Sequence, residues 1–128
     1  MKIKIVTKKK DHEQKLLKLV PYQIGMMKAL SEEYKFKNPQ EVVLRPMKVV
    51  NRPTESHCLA WAGYNLTTGY YVSMIMSLFN AGLRYELDVL SHEMAHIAVC
   101  QKLKRWGHPP LHEEMYKFAH VWVKKRVR

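Results

Sequence analysis

The sequence predicts an α+β fold, and three observations carry that prediction. Residues 2–6 (KIKIV) and 69–78 (GYYVSMIMSL) alternate side-chain character with the period of two that places successive residues on opposite faces of a strand. From Leu83 onward the apolar residues instead recur every three or four positions, the spacing of one face of a helix. The 128 residues fit one compact domain with a modest core, and no internal repeat or low-complexity tract divides them. The expected layout of residues 1–128 is an N-terminal strand and helical region over 1–40, a small antiparallel sheet over 41–80, and two helices over 83–126.

Each element follows from local chemistry. KIKIV predicts a short edge strand. The run Lys8-Lys9-Lys10 leads into helical spacing at Leu16, Leu17, Val20, Ile24, Met27 and Leu30. Pro21 has no amide proton and clashes with the preceding turn, so it kinks or restarts that helix. Asn38-Pro39 closes the region. EVVLRPMKVV (41–50) is rich in valine, with Pro46 favouring an edge position or a bulge. HCLAWAGYNL (57–66) and GYYVSMIMSL are joined by Thr67-Thr68-Gly69, a link short enough for a hairpin. Leu83, Leu87, Leu90, Met94 and Ile97 form one stripe of a helix continuing to about Arg105. Gly107, Pro109 and Pro110 end it, and a last helix from about Leu111 to Arg126 presents Met115, Phe118, Ala119 and Trp122.

Bulk properties narrow the function classes. No apolar run approaches the roughly 20 residues needed to span a bilayer, and MKIKIVTKKK has no apolar core of signal-peptide length. The chain therefore reads as soluble and intracellular, without a membrane partner. Cys58 and Cys100 form no disulfide framework or C-x-x-C pair and read as core residues in a reducing compartment. Twenty-two lysines and arginines against 11 acidic residues give a formal charge of +11, a field that attracts polyanions such as nucleic acid.

The chemistry concentrates in LSHEMAHIAV (90–99). On a helix His92 and His96 project from one face, one turn apart, so both imidazoles can hold one ion, and zinc suits such nitrogen ligands. Glu93 lies about 100° around the helix, beside the pair, within reach of a water on the metal without being a ligand. This is the H-E-x-x-H pattern of zinc peptidases, with Glu93 as general base. Two satisfied core histidines are the plain alternative. Chance, however, produces the pattern in a chain of this length only roughly a few times in a thousand. Val89, Val99 and Leu103 also make the face carrying the histidines largely apolar, where an imidazole needs a partner.

A hydrolytic site takes three protein ligands plus water. Lys102 stands where a third histidine six residues past His96 would be, and Tyr116 about where a glutamate twenty residues past it would be; Glu113 and Glu114 come somewhat early. His108 and His112 remain as candidates. Cys100 is set aside, because a fourth ligand would close the position that hydrolysis requires. Tyr116, four residues past His112, could stabilise an oxyanion, though a core or rim tyrosine is the simpler reading. Lys102, Lys104 and Arg105 at the end of the H-E-x-x-H helix, and Lys124, Lys125, Arg126 and Arg128 at the chain end, are candidate phosphate contacts. They would equally complement helix dipoles.

With LDVLSHEMAHIAV after a strand hairpin, then a basic helix end and HEEMYKFAHVW, residues 41 to 125 resemble the SprT-like metallopeptidases, the family of the Spartan DNA–protein crosslink proteases. The resemblance implies a minimal zincin-like domain in which the third zinc histidine opens the last helix, followed by glycine, two residues and an aromatic. His112-Glu113-Glu114-Met115 opens that frame, with Glu113 in place of the glycine, after an insertion containing His108-Pro109-Pro110. The resemblance thus implies His92, His96 and His112 as zinc ligands, Glu93 as the catalytic base, and a protein substrate associated with DNA. The paired cysteines of the family's zinc ribbon are missing. Two readings from other classes stand beside it: a zinc-containing nucleic-acid-binding module with negligible hydrolytic activity, and a metal-free interaction domain.

Overall fold

The computed structural model describes residues 1–47 and 59–127. In chain order these form β1 (Lys2–Ile5), α1 (Lys10–Leu17), α2 (Val20–Tyr34), β2 (Glu41–Met47), β3 (Ala60–Asn65), β4 (Gly69–Ile75), a 3-10 turn (Met76–Asn80), α3 (Leu83–Leu103) and α4 (Pro110–Arg126). The last residues of the first predicted sheet strand (48–50) and the first two of the second (57–58, with Cys58) lie outside the described residues.

The α+β class holds, but the sheet is not antiparallel. Its order is β1-β2-β4-β3. β1 pairs parallel with β2, Lys2 opposite Glu41, and β2 pairs parallel with β4, Val42 opposite Tyr70. Among the described strands only β3 and β4 are antiparallel, Ala62 opposite Val72. The physical reason lies in the connections. α1 and α2 form a crossover that returns the chain to the same end of the sheet, as parallel pairing requires, whereas the short β3–β4 link permits only a hairpin. Asn65 shapes that link: its Oδ1 accepts from the Thr67 and Thr68 amides at 3.0 and 2.7 Å, and Gly69 follows at φ +73°.

Pro21 restarts the helix as expected, in the first turn of α2, where a missing amide proton costs nothing. Leu17 and Ile24, both placed on the apolar stripe, are exposed; the break between α1 and α2 turns their faces out of phase with Leu16, Met27 and Leu30. Pro46 sits in an internal strand, not an edge strand. It is tolerated because β1 reaches only as far as Leu44, so that side of β2 has no β1 partner at Pro46. β4 stops at Ile75, where the 3-10 turn takes over Met76 and Ser77.

The core lies between one sheet face (Val42, Leu44, Val72, Met74) and the helices, with Met26, Met27, Leu30, Leu87, Leu90, Met94, Ile97, Met115 and Ala119 fully buried. α3 is buried nearly all round and packs against α2, α4 and β3 at once. Gly25 lets α2 approach α4: a β-carbon there would stand 2.8 Å from the Trp122 ring. No helix among the described residues is long and apolar enough to cross a membrane.

A candidate metal centre between the last two helices

α3 begins after Gly82 (φ +100°) and ends at Lys104, which adopts a left-handed conformation (φ 59°) with its amide bonded to the Cys100 carbonyl. A short loop, 104–109, then turns through Gly107 (φ +110°) into α4, whose first turn carries Pro110 and His112. α3 and α4 therefore run back against one another with their histidines facing. His92 and His96 come from α3, His112 from α4 and His108 from the loop, and their ligand-capable atoms all lie within 4.8 Å of one another. The two histidines weighed as alternatives for a third ligand are both present.

Hydrogen bonds orient three of the four rings. His112 Nε2 stands 3.1 Å from the His92 carbonyl oxygen. A carbonyl only accepts, so Nε2 carries the proton and Nδ1 keeps its lone pair for the cluster. His92 Nδ1 lies 3.2 Å from Glu93 Oε1, and His96 is bonded to the Gly107 main chain. The His96 and His112 rings stack at 3.9 Å. Burial, reinforced by His112, His92 and His108, pushes the His96 pKa down to about 3. Burial likewise lowers that of His112, partly offset by the His92 carbonyl. Imidazole nitrogens gathered this closely, with no carboxylate or thiolate in the set, could hold a divalent metal ion of intermediate softness.

One prediction concerns acid. In the metal-free protein His96 and His112 resist protons that the unfolded chain accepts below about 6.5. With depressed folded-state values, the unfolded state binds more protons, so stability rises with pH and is lost as pH falls from about 6.5 toward 3. Urea midpoints across that window should drop with acidification, and the drop should shrink in His96→Gln. Equal slopes in both proteins would contradict it.

Glu93 is 7% exposed and, with His92, His96 and His108, faces a cleft of about 560 Å³. The opposite wall is β3, the terminal strand of the described sheet, through Trp61, Ala62, Gly63 and Tyr64, joined by Tyr71. Gly63 leaves room for the Tyr71 ring, which lies across it and under the Arg45 guanidinium. Trp106 and Gly107 complete the rim. These aromatics carry no motif, which is why the sequence did not mark them.

The remaining candidates separate from the cluster. Glu113 is exposed and paired with Lys117 at 3.4 Å. Cys100 stays outside the set, half-buried. Lys102 donates to the Tyr34 carbonyl and so closes the end of α2, Lys104 ends α3, and Arg105 is exposed; none lines the cleft. Tyr116 is not positioned for an oxyanion: its hydroxyl is engaged by both Asp88 oxygens at 3.2 Å, while its ring packs on His92. Burial and then Asp88 raise its pKa.

Asp88 also accepts from His120 Nδ1, so one carboxylate on α3 ties two residues of α4 beside the four-histidine cluster. Sequence reasoning missed this group, although Asp88 stands one turn before His92 and Tyr116 and His120 are four apart. Asp88→Ala should cost about 1 kcal/mol, near the low end for a charge-assisted pair because His120 is 41% exposed. Urea denaturation checks this, and an unchanged midpoint would remove the group from the account. Compared with protein-family models, curated proteins and solved structures, the chain matches none.

Proposed function

We propose that the protein is a zinc-dependent metallopeptidase of the SprT-like type, holding zinc through His92, His96 and His112 and cleaving polypeptide chains. The observation that supports this reading best is the convergence of these histidines with a buried Glu93 at the floor of a cleft bordered by a strand. His112 is preferred to His108 as third ligand because it is 3% exposed and fixed in a helix, with its second nitrogen already bonded. Zinc in this position supplies Lewis acidity, lowering the pKa of water and polarising a carbonyl. Glu93 takes the proton that water gives up as it attacks and returns it to the departing amine. Its burial keeps the carboxylate in one position, and the His92 ring beside Oε1 limits its rotation.

β3 suits an extended substrate. A polypeptide laid along it passes the Glu93 carboxylate, with Trp61, Tyr64 and Trp106 offering apolar area to its side chains. The charge of +11 favours substrates associated with nucleic acid, though the basic residues near the active helix act first in holding helix ends.

The deciding experiment incubates the zinc-loaded protein with unfolded casein, with and without single-stranded DNA, and identifies new termini by mass spectrometry. New termini that vanish with a chelator support the reading, and a dependence on DNA assigns the partner. Zinc bound without any cleavage would favour the nucleic-acid-binding module instead.

A further inference from the structure

His108 is as close to the cluster as the helix-borne histidines are. Its ring stands 4.6 Å from His96 and 4.9 Å from His112, while His92 stands 5.0 and 4.8 Å from the same two. Four imidazoles have no reason of their own to converge at this density, whereas a shared ion supplies one. Four protein ligands nevertheless describe a closed structural centre, and hydrolysis needs an open position.

His108 also differs from the other three in how it is held. His92, His96 and His112 each have a ring nitrogen engaged by a hydrogen bond, to Glu93, the Gly107 main chain and the His92 carbonyl. Such bonds orient ligands and sharpen their affinity. Among the described residues no hydrogen bond holds the His108 ring. It is exposed, and it sits in a loop directly after Gly107, whose φ of +110° is open to few residues other than glycine. Swinging the ring outward requires no unpacking. It also lines the cleft beside Trp106 and Gly107, so a chain entering the cleft competes with it for space.

We propose that His108 is an exchangeable fourth ligand, which closes the three-histidine centre at rest and vacates it when an extended polypeptide occupies the cleft. This rests on the metal reading above and adds its regulation. At rest the closed centre has no place for water, so idle hydrolysis is suppressed. Substrate entry opens the position beside Glu93 that the reaction uses. The fraction of open molecules sets the apparent affinity for any small ligand of the metal.

Cobalt(II) in place of zinc gives a test that does not depend on turnover. X-ray absorption of the cobalt-loaded full chain should count four imidazoles in the wild type and three in His108→Asn. If about one molecule in ten is open at rest, His108→Asn should bind azide about tenfold more tightly. In Glu93→Gln, saturating unfolded casein should lower the imidazole count from four to three. Identical spectra and azide affinities for wild type and His108→Asn would overturn the proposal while leaving the metallopeptidase reading intact. So would a count of four that casein does not change. Loss of cobalt from His108→Asn as complete as from His96→Asn would show an obligate ligand, not an exchangeable one. A wild type that binds neither cobalt nor zinc would overturn both readings together.

Discussion

Glu93→Gln is expected to keep its zinc and lose hydrolysis by a factor of about 10²–10⁴, the range associated with removing a general base. The amide is nearly isosteric with the carboxylate but cannot accept the proton of the attacking water. Glu93 is buried at 7% exposure on the cleft floor and lies outside the four-histidine set, so the substitution leaves the ligands themselves intact. Zinc content by mass spectrometry and cleavage of unfolded casein should be measured on the same preparation. Residual activity equal to the wild type would take the catalytic role away from Glu93. A loss of zinc in parallel with activity would instead make it a structural support of His92, whose Nδ1 it faces at 3.2 Å.

Zinc removal is expected to have the largest effect on stability. The four histidines come from α3, α4 and the loop between them, so one ion held by them would cross-link two helices that otherwise share the buried core and the Asp88 group. At a free zinc concentration a hundred times Kd, the bound form gains about 2.7 kcal/mol, which for a domain of this size raises the melting temperature by about 10 °C. A strong chelator should reverse that shift, and His96→Ala should abolish it together with hydrolysis. Hydrogen exchange should then quicken over residues 84–105 and 111–126 before it does in β2 and β4. A melting temperature indifferent to chelator would leave the four histidines without an ion.

Much of the site was legible because helices announce themselves locally. His92 and His96 share a face by virtue of four-residue spacing alone, and α3 and α4 carry apolar periods long enough to be unmistakable. His112 and His108 could both be named, but not both placed, since sequence spacing does not show how a loop folds back. The sheet was legible as strands and not as a pairing. Nothing in EVVLRPM says that its neighbours are KIKI and GYYVSMI running in the same direction; the first pairing depends on the crossover of α1 and α2, the second on β3 lying on the far side of β4. Alternation also ran past the end of β4, because Met76 and Ser77 continue the pattern inside a 3-10 turn. Asp88 went unnoticed because its partners Tyr116 and His120 are brought to it by the antiparallel packing of α3 on α4.

The joining of α3 and α4 by a single short loop has a consequence for the order of folding. His112 meets the main chain of His92 across only 20 positions of sequence, whereas β1 must find β2 across the whole N-terminal helical region, Lys2 against Glu41. Contacts between sequence neighbours close quickly and with little loss of chain entropy, while distant strand pairing is slow. The helical hairpin, like the still more local β3–β4 hairpin, can thus form before β1 and β2 find each other. An ion gathered by the helical hairpin would be captured before β1 and β2 complete the sheet. Stopped-flow refolding by circular dichroism should then accelerate when zinc is present from the start, an effect absent in His96→Ala. An unchanged rate would place zinc capture after assembly of the sheet.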